Sequence, residues 1–156
     1  MARTIGSVIL GYLVMFFAVV ATFSLAYRAM GVDRAYQPGT YDVSVLWIAV
    51  SIVLGIVAAI LGGFVCARVA HSPAAPRALA WFVLFLGLGL AIAAAVGVGA
   101  EDRETVRPAE VSNMEAMQNS QTPVWLQFLN PLIGAAGVLY GAGLARRSKA
   151  EASEAV

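Results

Sequence analysis

Apolar positions in this chain fall in four solid blocks. They span residues 5–27, 43–67, 78–98 and 123–145, each 21 to 25 residues long, and none holds Asp, Glu, Lys, Arg or His. At about 1.5 Å rise per residue, a helix of that length covers roughly 30 Å, the thickness of a bilayer's hydrocarbon core. The pattern predicts an all-α, integral membrane four-helix bundle with antiparallel neighbouring helices. The gaps between blocks, 28–42, 68–77 and 99–122, are too short to bury a core of their own. The chain therefore reads as one transmembrane domain over 1–156. The first block exceeds the roughly 7 to 15 apolar residues of a signal peptide, so it reads as a retained span.

Local signals refine the block ends. Thr4 is a candidate N-cap for the first span, and Thr40 or Asp42 for the second. Gln37-Pro38-Gly39-Thr40 predicts a turn, because proline sets φ and glycine permits a positive one. The link His71-Ser72-Pro73-Ala74-Ala75-Pro76 is short and proline-rich. It predicts a tight hairpin of the second and third spans, with Pro76 as the first residue of the third helix. Thr122-Pro123 predicts the same arrangement for the fourth. In the long third loop, Val111, Met114 and Met117 recur every three residues opposite Glu110 and Glu115. That predicts a short amphipathic surface helix over 108–119. Trp47, Trp125, Tyr27 and Tyr41 at one end, with Trp81 at the other, predict interfacial aromatic belts.

Charge gives direction. Arg3, Arg68, Arg77, Arg146, Arg147 and Lys149 fall on one side of a four-span topology, and Arg28, Arg34, Arg103 and Arg107 on the other. Six basic residues against four place both termini in the cytoplasm. Nine arginines against one lysine, with abundant Ala, Val and Gly, point to a GC-rich bacterial gene and hence to the bacterial cytoplasmic membrane. The chain is 60% hydrophobic and 12% charged, with net charge +1, which gives nucleic acid no basic footprint.

Small residues carry the strongest constellation. Gly55, Ala59 and Gly63 recur every four residues in the second span. Gly89, Ala93 and Gly97 do so in the third, as do Gly87, Ala91 and Ala95, and Gly137, Gly141 and Ala145 in the fourth. That spacing keeps each set on one helix face, where backbones can approach closely in lipid. Gly62 to Arg68 and Gly141 to Arg146 echo each other, small residues followed by Ala-Arg. A duplicated hairpin would produce this echo, and so would ordinary membrane composition.

Candidate chemistry is sparse. Gln127 and Asn130 are the amide side chains inside the blocks, three residues apart and so on one face. Pro131 removes a backbone donor and frees the Gln127 carbonyl. The pair is a candidate polar intramembrane site, either a hydrogen-bonded kink or a ligand or pore lining. Met114 and Met117 fit an apolar helix face better than a copper site. The run Glu101-Asp102-Arg103-Glu104 reads as solvated charge, and Cys66 as a buried inert thiol. A lone His71 excludes a bis-histidine haem within one chain. No nucleophile triad, phosphate loop or metalloprotease motif occurs. Small multidrug exporters are similar in size, yet carry an acidic residue in the first helix, which 5–27 lacks. The expectation is a non-enzymatic membrane protein without a cofactor, a structural or accessory subunit whose partners are the bilayer and other subunits or copies of itself. The alternative is a small homo-oligomeric channel or transporter.

Overall fold

The computed structural model describes residues 2–70, 72–98, 106–108 and 111–154. The helices are α1 (Ala2–Met30), α2 (Val32–Ala35), α3 (Val45–Val69), α4 (Ala74–Ala95), α5 (Asn113–Gln118) and α6 (Val124–Glu154). Four of them, α1, α3, α4 and α6, are long and apolar enough to cross a membrane. Among the described residues there are no strands, only isolated bridges. His71 and the acidic run at 101–104 lie outside the described residues, as do the side chains of Met114 and Met117.

Helix ends differ from expectation for local reasons. α1 begins at Ala2, so Thr4 lies inside the helix and caps nothing. The cap of α3 is Ser44, whose Oγ accepts from the Trp47 N–H at 3.1 Å. Thr40 and Asp42 cannot serve, because they lie five and three residues ahead of Val45, the first helical residue; their backbones bridge to Val106 and Gln121 instead. α4 starts at Ala74, which puts Pro76 at its third residue instead of its first. A proline is tolerated there because first-turn N–H groups have no intrahelical partner. At its other end the N–H of Gly97 donates to the Ala94 carbonyl and that of Val98 to Ala93. With φ +82° at Gly97 this is a Schellman cap. Gly97 therefore ends a helix and does not pack one. The Pro38-Gly39 turn forms as expected, with Gly39 at φ +73° and the Thr40 N–H on the Gln37 carbonyl.

The bundle is built around α6 and α3. A Cβ on Gly63 would overlap the Val138 backbone, and one on Gly141 the Ile60 backbone. The helices that carry the two echoing segments thus lie against each other, each glycine seating the other helix's chain. A Cβ on Gly137 would come within 2.8 Å of Ala59 Cβ. On the other side of α3, Gly62 and Gly11 face each other's carbonyl oxygens, a close approach no spacing pattern in the first span announced. α4 meets α6 through Gly87, which leaves room for the Pro131 ring. α3 and α4, expected as a tight hairpin, touch only narrowly; each packs mainly on α6. The short link sets their ends close, but the glycine faces point them both at α6.

A second cluster closes the end that carries the long loops. It joins Tyr27, Ala35, Tyr36, Tyr41, Val43 and Ala116, with Trp47 and Val111 packed against it. Tyr27 and Tyr41 are 3% and 0% exposed, so they belong to this core and not to an interfacial belt. Trp81 and Trp125 remain exposed, as a belt requires. The loops are knitted by backbone bonds: Arg107 N–H to Gly39 O, Val43 N–H to Gln121 O, and Gln121 N–H to Tyr41 O. The buried Arg107 guanidinium reaches Asp33 at 3.1 Å. α5 is shorter than the helix expected over 108–119. Ser112 Oγ accepts from the Glu115 N–H, starting the helix there, and Ala116 fills the core.

Candidate functional site

The polar face of α6 is positioned by the helix start. The Pro123 carbonyl accepts from the Leu126 and Gln127 N–H groups, at 3.0 and 3.3 Å. Gln127 Nε2 turns back to donate to the Thr122 carbonyl at 2.9 Å. Its amide therefore stitches the helix start, and does not satisfy its own freed carbonyl. Pro131 sits within the helix without breaking it.

Asn130 lies beside two adjoining cavities. One, of about 310 Å³, lies among α1, α3 and α6; the other, of about 680 Å³, extends to α4. Both are lined by Val19, Gly55, Thr122, Asn130 and Gly134. Gln127, Ser120, Pro131 and Gly87 line the larger, and Ser51 and Trp47 the smaller. Ser51 Oγ is spent on the Ile48 carbonyl at 2.9 Å. Among the described residues no charged side chain lines either cavity. Those residues can therefore offer hydrogen bonds to a neutral group and bring no charge to balance an ion.

The other named positions separate into two sets. Ala59, Gly63, Gly137 and Gly141 meet across α3 and α6. Gly55 and Gly89 have no atom of the described residues within 4 Å of where a Cβ would stand. Gly55 opens onto the cavity, Gly89 lies on α4 and Ala93 is half-buried. On α4 the register that packs is the other one, with Gly87 on Pro131 and Ala91 buried. Sequence reasoning missed Gly11 and Gly62. Cys66, fully buried beside Gly11 and Leu79, lies in the same contact. Among the described residues no group of three or more His, Cys, Asp or Glu side chains could hold a metal ion.

No known protein family matches this chain, and neither the curated proteins nor the solved structures contain one similar to it.

Proposed function

We propose that the chain is a non-enzymatic, structural or accessory subunit of a larger membrane complex in the bacterial cytoplasmic membrane. Its consecutive spans run antiparallel, which leaves α3 and α6 parallel, with both termini in the cytoplasm and α5 on the outer surface. The single observation that carries the reading is the α4 face around Gly89. Among the described residues no atom covers Gly89, and Phe82, Phe85, Ile92 and Val96 stand exposed around it. A neighbouring helix can bring its backbone close at such a glycine, where lipid tails gain nothing from the notch. Phe23 meets Trp47 while Gly11 meets Gly62 and Cys66, which supports antiparallel α1 and α3; Gly137 beside Ala59 and Arg68 beside Ser148 run α3 and α6 parallel. Orientation rests on Arg68, Arg77, Arg146, Arg147 and Lys149 at the end opposite the loop cap.

Purification from native membranes in mild detergent tests this. Other membrane proteins should co-purify at a fixed ratio, and Gly89→Leu should release them while the bundle stays folded. Recovery of the chain alone as a monomer would overturn the reading. The second reading, a small homo-oligomeric channel or transporter, is favoured by the cavity beside Asn130 and Gln127. A symmetric oligomer without other subunits would select it. For topology, a reporter fused after Val156 should be active in the cytoplasm only; activity on the far side would reverse the orientation.

A further inference from the structure

We propose that the larger cavity binds a neutral glycerolipid that enters sideways from the bilayer, with Asn130 hydrogen-bonded to its ester carbonyl. The proposal stands whichever assembly the chain serves. It starts from the shape of the cavity. α1 and α4 touch where Gly11 meets Leu79 and Tyr12 meets Phe82 at 5.2 Å between ring centres. Further along, Met15 and Val19 of α1 face Leu90 and Ala94 of α4 across open space. Leu90 lines that space and is itself exposed, so the mouth is on the bilayer side. At about 680 Å³ the cavity falls in the range of small-molecule sites, roughly 300–1,000 Å³. A helix with side chains is about 10 Å across and would need more room.

Chemistry narrows the occupant. The Asn130 side chain makes no hydrogen bond to any described residue, and it lines both cavities. An amide left so in hydrocarbon is costly, and it can both donate and accept. Depth then excludes charge. Trp125 is exposed at the start of α6, the place of a headgroup-level anchor. Asn130 lies five residues further in, about 7 Å along the helix axis. A group bonded to it sits beneath the headgroups, and the described side chains beside it are uncharged. A phospholipid's charged headgroup holds its ester region above that depth. A diacylglycerol has no such tether and can sink to it, laying its acyl chains along Leu90, Val83 and Met15.

Photo-crosslinking decides the matter. The protein is reconstituted in phosphatidylcholine vesicles with a trace of diacylglycerol bearing a diazirine on one acyl chain, and labelled peptides are mapped by mass spectrometry. Labelling should concentrate on residues 83–94 and 127–134, and excess unlabelled diacylglycerol should abolish it. Gly55 lines the cavity and a Cβ there meets no described atom within 4 Å, so Gly55→Leu fills that space. It should reduce labelling about tenfold or more while the thermal transition stays at or above that of the unaltered chain. Asn130→Leu, losing one hydrogen bond in hydrocarbon, should weaken capture about tenfold, and Asn130→Gln should restore part of it. Three results would each overturn the proposal. Labelling could persist in folded Gly55→Leu. Diazirine phosphatidylglycerol could label the same peptides as strongly. Label could spread evenly over the lipid-facing side of α1. Competition by unlabelled diacylglycerol reads occupancy of the unaltered chain, so the result does not depend on any variant folding.

Discussion

Replacing Gly63 or Gly141 with leucine should destabilise the bundle by about 3 kcal/mol or more, the upper end of what overpacking costs. At both positions the obstacle is backbone. A Cβ on Gly63 would overlap the Val138 carbonyl, and one on Gly141 the Ile60 carbonyl. No rotamer change relieves that, so α3 and α6 must separate as whole helices. Alanine at either site should already cost about 1–3 kcal/mol. That cost would emerge despite the roughly 0.5–1 kcal/mol that a helix gains when glycine becomes alanine. Gly137→Leu should cost less, because its nearest neighbour is the Ala59 methyl, and the Ile56 carbonyl oxygen stands at an ordinary contact distance of 3.5 Å. Gly89→Ala supplies the control, since no described atom opposes a methyl there. Thermal unfolding in detergent reads the series. Wild-type midpoints for both Gly63→Leu and Gly141→Leu would mean that the two helices do not pack through these residues.

The number and course of the spans were legible because uncharged blocks of this length have few other destinations. Which face meets which helix was only half legible. Four-residue spacing marked Ala59, Gly63, Gly137 and Gly141, but it marked Gly55 and Gly89 equally. The pattern registers absent side chains, and an absent side chain serves a contact, a cavity or a notch alike. Gly11 was invisible for the opposite reason: a single glycine without a repeat carries no periodic signal. Gly97 shows a third use of the same residue, ending a helix at positive φ. Asn130 stood out as an amide in an apolar block. The cavity beside it depends on α1 and α4 parting, and that is decided by contacts far from it in sequence. The knitted loops were illegible too. Their pairings, Thr40 with Val106 and Asp42 with Gln121, are single bridges between distant segments, too short to impose alternation.

Those loops are the subject of the second large effect. Tyr41→Ala should cost about 3–5 kcal/mol, the usual range for emptying a buried aromatic site. Tyr41 is fully buried, edge-on to Tyr36 at 6.4 Å, and Tyr36 in turn meets Tyr27 at 6.1 Å. Tyr27 continues to Trp47, 5.6 Å away, so one ring series ties the tops of α1 and α3 to the loop. Edge-to-face pairs of this kind add about 0.5–1.5 kcal/mol each beyond their burial. The Tyr41 carbonyl also accepts from the Gln121 N–H, which anchors the segment leading into α6. Loss of the ring should therefore loosen both loops together while the membrane helices persist. Hydrogen exchange measures this directly. Amides of Gln37, Val43, Ser44 and Gln121 should exchange faster by about two orders of magnitude or more, as a loss of some 3 kcal/mol from local stability implies. Amides in the middle of α3 and α6 should keep their protection. If the four loop amides were as slow in Tyr41→Ala as in the unaltered chain, the cap would owe its order to backbone pairing alone. If the helix interiors sped up equally, the cap and the bundle would be one cooperative unit and not two.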